Sequence, residues 1–253
     1  MEGMTLNIQS LIMASILVLI ALFFSAWQKL KLEKDIIVGT LRAVIQLTAV
    51  GFILNYIFSL DNWLFTTLMM IFMVYNASRI AGKRGKGIEK SRLIAFVSIG
   101  VAAGVTLAIL VGVGAIKYIP SEVIPVSGMV IGNAMVAVGL CFRQMKQQFS
   151  DRAQEVEIKL SLGASEKMAS MYIIRDSIRL AMQPTIDSMK TLGIVSLPGM
   201  MTGLILAGTP PIKAIQYQIM VTFMLTATVS ISTFMAGYIA YRNFFNEQRQ
   251  LKL

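Results

Sequence analysis

The chain has no histidine and a single cysteine, Cys141, among 253 residues. A missing imidazole removes the commonest general base and the commonest transition-metal ligand, and one thiol cannot close an intrachain disulfide. An ordinary hydrolytic or zinc site is therefore not expected, and neither is a membrane enzyme built on paired acids. Charge is also scarce: only 14% of residues are charged, 13 acidic against 23 basic. No phosphate-binding loop is present, because that motif needs G-x-x-x-x-G-K-S/T so that amides, a lysine and a hydroxyl converge on phosphate. The nearest spacing, Gly82 to Gly87, is followed by Ile88. GKRGKG reads instead as a flexible basic loop facing anionic lipid. Internal repeats, low-complexity tracts and a separate soluble domain are lacking too.

What fills the chain is apolar. Hydrophobic residues make up 56% of it and the mean hydropathy is +0.70, values of an integral membrane protein. A hydrocarbon core about 30 Å thick takes roughly 20 apolar residues to cross as a helix. Candidate spans are Leu6–Trp27, Ile36–Leu60, Trp63–Ile80, Leu93–Ile116, Ile124–Phe142, Ile186–Ala207 and Ile212–Tyr241. The first is too long for a signal-peptide core, lacks a basic start and has no small-residue cleavage pattern after it, so it reads as a retained span.

The net charge of +10 is explained by topology rather than by nucleic acid. Nineteen of the 23 basic residues fall in 28–35, 79–92, 143–185 and the tail after Tyr241, whereas the alternate connections hold only Lys117, with Lys213 just beyond. The positive-inside rule makes the first set cytoplasmic, which puts the N-terminus outside and the C-terminus inside after seven crossings. Trp63, Tyr118 and Tyr241 fall near the expected interfaces. The expected fold is all-α, a polytopic membrane protein of about seven transmembrane helices. A single transmembrane domain over 1–253 is expected, with 143–185 as a cytoplasmic loop.

That loop is the only long polar segment, and it reads as two helices. Ser150 or Asp151 can cap the first, Gly163 can close it in a left-handed turn, and Ser165 can cap the second, which is expected to end or kink near Pro184. A short amphipathic helix ended by glycine at the membrane surface can fit another protein's socket; the plainer reading is an interfacial linker.

GIVSLPGMMTG, residues 193–203, places a proline and three glycines inside the sixth apolar run. Pro198 removes the amide that would bond to residue 194 and should kink or break that span, with Gly199 loosening it further. Broken backbone in a bilayer marks a hinge or substrate site; the alternative is close helix packing through Gly193, Gly199 and Gly203.

No acid lies at midplane depth: Asp61 and Glu122 sit at outer ends, and Asp187 at the inner end beside Lys190. Cargo in transit would meet neutral groups, with Gln46, Asn55, Asn76, Asn133, Gln216, Gln218, Thr222 and Thr226 as candidates. Thr222, Thr226, Ser230 and Thr233 give the last span a hydroxyl face, although such hydroxyls commonly bond to their own helix. Met200 and Met201 could form a soft thioether site or simply fill apolar space. Arg42, with Gln46 one turn on, must reach the interface or a partner, a structural charge more than a cargo contact.

EIKLSLGASEKMASMYII, residues 157–174, resembles the coupling loop of ABC-transporter permeases. That pattern is E-A-A-x-x-x-G with isoleucine ten residues on, and Glu157, Gly163 and Ile173 stand at its positions, while Ile158 and Lys159 replace its alanines and Arg175 and Asp176 its closing Leu-Pro. LSLGAS, R-x-A-M-Q-P at 179–184, GIVSLPGMMTG and GTPPIKAIQYQ at 208–218 resemble the permease family that includes the bacterial iron-export permease and the plant aluminium-sensitivity permease. Arg42, Gln46 and Leu47 also suit it. The resemblance implies an ABC permease that binds no cofactor itself and couples through Glu157, Leu160, Gly163, Ala164 and Ser165 to a separate cytoplasmic ATPase carrying ATP and Mg. Two copies of each chain, in a bacterial cytoplasmic membrane and surrounded by lipid, would export a metal ion such as iron. Gating would use Pro198, Gly199 and Gly203. Alternatives are an ATPase-independent channel or carrier, or an ABC permease for an organic or lipid substrate.

Overall fold

The structure, a computed structural model, describes residue 9 and residues 13–60 and 62–252, without the side chains of 59 and 60. The N-terminal part of the first span and Asp61 lie outside the described residues. Nine α-helices are seen among them: α1 Ile16–Trp27, α2 Glu33–Leu60, α3 Trp63–Arg84, α4 Ser91–Gly112, α5 Pro120–Asp151, α6 Ala153–Ser161, α7 Glu166–Thr191, α8 Gly199–Leu206 and α9 Pro211–Ala240. A 3-10 turn, Tyr241–Phe244, follows. Five helices (α2, α3, α4, α5 and α9) are long and apolar enough to cross a membrane. The protein is an all-helical integral membrane protein.

The chain divides into two compact units, Met1–Asp61 with Gly203–Thr209, and Asn62–Thr202 with Pro210–Leu253. In the first, α1 and α2 form a hairpin whose turn is pinned by the buried Ser25. Its hydroxyl donates to Glu33 Oε1 at 2.8 Å and accepts from the Leu32 amide at 3.2 Å. None of the most apolar stretch of α2 is buried.

The second unit is built around α5, which packs against α3, α4, α7 and α9. Its buried residues include Val130, Ala134, Val138, Cys141, Phe142, Met145 and Phe149. They recur at steps of three and four, the apolar stripe that seats a helix among neighbours. At its far end Phe149 stacks on Phe244 with centroids 4.1 Å apart and meets Phe245 edge-on at 6.0 Å. Across α4 and α9, the buried hydroxyls of Thr106 and Thr228 lie 2.8 Å apart.

Several expectations change here. The fifth span does not stop at Phe142 but runs unbroken to Asp151, because its apolar stripe continues through Met145 and Phe149. Neither Ser150 nor Asp151 caps α6. Both belong to α5, Asp151 accepts from Gln147 at 2.9 Å, and Arg152 precedes α6 without a side-chain cap. The second loop helix does not end near Pro184; α7 passes through it to Thr191. The buried seam Ala169, Ile173, Ile174, Ser177 and Ala181 holds the helix up to the proline, and the last turns beyond it remain helical along the pocket described below. The sixth apolar run, by contrast, is broken as Pro198 and Gly199 led one to expect: α7 ends at Thr191, a turn follows, and α8 starts at Gly199 directly after Pro198. Gly193, at φ +79°, directs the chain out of the helix.

Candidate functional site: a coupling turn and a pocket joined by one helix

At one end of the second unit, α6 closes in a Schellman turn. Gly163 has φ +87°, its amide donates to Leu160 O at 2.9 Å, and the Ala164 amide donates to Lys159 O at 3.0 Å. Ser165 then caps α7, its hydroxyl accepting from the Met168 amide at 3.3 Å. Both the left-handed glycine and the serine cap are as expected from the sequence. Val156 is the one buried residue of α6, and Arg152 lies 4.3 Å above the Tyr172 ring on α7. Glu157 is exposed, and it shares the outer surface with Ile158 and Leu162, which are 60% and 81% exposed. The neighbouring Glu155 carboxyl is held below its usual range, first by the hydrogen bond from Lys159 at 2.6 Å and then by that ammonium and Arg152.

The C-terminal segment reaches the same place. Gln248–Leu251 and the turn residues Glu157, Leu160, Gly163 and Ala164 border one groove of about 720 Å³. Lys252 fastens this segment to the loop after α3 through Glu89 at 2.7 Å, and Asn243 donates to Glu89 O at 2.7 Å. Sequence reasoning saw only a charged tail there, since nothing in its spacing announces a contact more than 150 residues away in the chain.

Towards the other end of α7 lies a pocket of about 270 Å³ walled by α5, α7 and α9. It brings together Asn133, Gln218 and Thr222 from the expected pathway set with Pro198 from the expected hinge. Asn133 donates its Nδ2 to Met129 O at 2.8 Å. The Thr222 hydroxyl donates to Gln218 O at 2.8 Å, and Thr226 lies 2.9 Å from the sulfur of the pocket residue Met189. Gln218 Oε1 is buried without a hydrogen-bond partner, which costs about 1–3 kcal/mol for a neutral group. No charged side chain lines this pocket. Among the described residues no group of three or more His, Cys, Asp or Glu could hold a metal ion. Amide, hydroxyl and thioether dipoles are what the pocket offers.

Sequence reasoning missed Thr185, Ser188 and Met189 as lining residues. With Ala181, Pro184 and Leu192 they recur at steps of one and three, a one-sided helical stripe that was there to be read. The remaining candidates are dispersed. Gln216 borders a different, apolar pocket beside Phe223 and Met220. Asn76 on α3 donates to Phe72 O at 2.9 Å. Met200 packs on the core, Met201 is partly buried, and neither lines the pocket. Arg42 and Gln46 are exposed one turn apart on α2. A Cβ added at Gly199 or Gly203 would meet nothing within 4 Å, so close packing within this chain does not explain those glycines. Asp187 does pair with Lys190, at 3.4 Å, and also accepts from Gln183 at 2.9 Å.

Comparison with known proteins agrees with the motifs. The model of the Uncharacterised protein family (UPF0014) matches residues 8–245. The chain is 52% identical over 251 residues to the Probable iron export permease protein FetB of Escherichia coli (strain K12), covering 99% of this chain and 97% of that protein. It is 38% identical over 243 residues to the membrane protein YjkA of Bacillus subtilis (strain 168), covering 96% and 97%. To Protein ALUMINUM SENSITIVE 3 of Arabidopsis thaliana it is 34% identical over 239 residues, covering 94% and 88%. No solved structure matches the chain. The chain belongs to the UPF0014 family of membrane proteins.

Proposed function

We propose that the chain is the membrane subunit of an ATP-driven ABC exporter that moves a metal ion, iron, out of the cytoplasm. The observation that carries this reading is the continuity of α7. One unbroken helix starts at the capped coupling turn and ends in the wall of the pocket. At 1.5 Å per residue its 26 residues span about 39 Å, and its seam keeps it packed on α5 and α9 along the way. A push on the turn therefore reaches the pocket without crossing a joint. Iron as cargo rests on the 52% identity to the probable iron export permease of Escherichia coli.

In this reading the ATPase is a separate cytoplasmic chain that holds ATP and Mg, and its socket receives Glu157, Ile158 and Leu162. The N-terminus is outside and the C-terminus inside, in a bacterial cytoplasmic membrane. A second permease chain and lipid cover α2, where Arg42 and Gln46 are otherwise costly exceptions on an apolar surface. Useful work requires that cargo bind differently in the inward and outward states. The break at 192–198 gives the pocket wall a place to change shape.

Inside-out vesicles carrying the permease and its ATPase test this directly. ATP-dependent iron accumulation is expected, and Glu157→Arg should abolish both accumulation and co-purification of the ATPase. A variant that keeps its partner and full transport would refute the coupling assignment.

A further inference from the structure

We propose that the pocket between α5, α7 and α9 takes a cation with its water shell intact, recognised through coordinated water rather than by direct ligation. The inference rests on the transport reading above and names how that cargo is held. Three observations lead to it.

The first is charge. The lining has no carboxylate, imidazole or thiolate, so nothing there compensates the removal of water from a divalent ion, which small hard cations resist strongly. The second is size. A volume of about 270 Å³ corresponds to about nine water molecules at roughly 30 Å³ each, room for an ion with a six-water shell and too much for a bare one. The third is polarity. Water bound to a cation presents hydrogens outward and needs acceptors. Asn133 gives an amide hydrogen to Met129 O and Thr222 its hydroxyl hydrogen to Gln218 O, so each keeps oxygen lone pairs as acceptors. Gln218 carries a buried oxygen with no partner, an acceptor left over for such a hydrogen. Ser188 and Thr185 add hydroxyls that can turn either way.

Such a site holds its ion loosely, because outer-shell hydrogen bonds replace only part of what ligation would give. Loose holding suits a carrier that must release what it binds.

The probe is hexaamminecobalt(III), an exchange-inert ion whose ammine hydrogens copy a six-water shell. Binding is followed by titration calorimetry on the intact permease–ATPase complex in lipid nanodiscs. It should bind wild type, be displaced by ferrous iron, and inhibit ATP-dependent iron accumulation in vesicles. Gln218→Leu should weaken both ions roughly tenfold, the loss of one net hydrogen bond, and Gln218→Glu, which keeps the shape, should tighten both. Ferrous iron binding without the hexaammine would show direct ligation and overturn the proposal. So would hexaammine binding that is indifferent to both Gln218 variants. If neither ion binds while Glu157 still governs ATPase association, the hydrated-cation site falls and the permease reading stands.

Discussion

Replacing Gly163 by alanine tests the coupling turn at a single atom. The residue sits at φ +87°, and a Cβ built there meets no atom within 4 Å. Steric clash with the rest of the protein is thereby excluded, and the cost is that of the left-handed backbone alone, about 1–2 kcal/mol for a non-glycine residue. At RT of about 0.59 kcal/mol this lowers the population of the closed turn by a factor of about 5 to 30. Because α6 buries only Val156, the loss should appear as local opening of the turn, with little change in the global melting temperature. Asparagine tolerates the left-handed region better, so Gly163→Asn should recover much of the function. The assay is iron accumulated per ATP hydrolysed in vesicles, alongside ATPase affinity for the three forms, with glycine best, asparagine next and alanine worst. An alanine variant with wild-type coupling and affinity would show that the Schellman geometry is incidental. Asparagine no better than alanine would show that the backbone argument is wrong.

Two further outcomes are expected. Ile174 is fully buried in the seam of α7, so Ile174→Ala should cost 2–5 kcal/mol and lower the melting temperature in thermal unfolding; a loss near zero would mean that the seam does not hold α7. The Glu89 carboxyl is held below its usual range, chiefly by the hydrogen bond from Lys252 and then by its charge. A depressed acid supports the folded contact above the unfolded pKa and loses it as pH falls through the folded one. The tail should therefore stay fastened at neutral pH and come free only in acid below the ordinary carboxylate range. A spin label attached at Gln248→Cys, its mobility read by electron paramagnetic resonance against pH, follows this, with buried Cys141 giving little background, and in Lys252→Glu the label should be mobile at every pH.

Much of the fold was legible because bilayer length and charge asymmetry are strong signals. The second, third, fourth and seventh expected spans coincide with α2, α3, α4 and α9 to within a few residues. Gly163 and Ser165 were equally readable, since only glycine adopts the turn's φ freely and only a small hydroxyl or amide caps a helix well. Pro184 was read as an end or a kink because a helix propensity counts the lost hydrogen bond, and the helix in fact continues to Thr191. The interruption of Ile186–Ala207 was legible in Pro198 and Gly199, whereas its beginning at Gly193, φ +79°, was not, because hydropathy averages over composition and is blind to one glycine at positive φ. The pocket was half legible: its amides and hydroxyls on α5 and α9 were named, while the α7 wall was hidden once its residues had been assigned to a crossing helix.

The break does not follow from length, since Ile186 to Leu206 as one helix would run about 32 Å at 1.5 Å per residue, close to the hydrocarbon thickness; it follows from Gly193 at φ +79° and from Pro198. Ending α7 at Thr191 terminates the lever at the pocket, and the turn that does so satisfies much of its own backbone. The Thr191 carbonyl accepts from the Val195 amide at 2.9 Å and more distantly from Ile194 and Ser196, while Gly193 donates to Ser196 O at 3.0 Å. An apolar environment tolerates irregular backbone only where its polar groups are met, and here they are met locally. The strand-like Leu192–Ser196 pairing therefore makes the Gly193 and Pro198 interruption an inexpensive one. Residues 193–197 are exposed, so under the proposed transport function they are the segment best placed to move as a gate while α5, α7 and α9 stay packed.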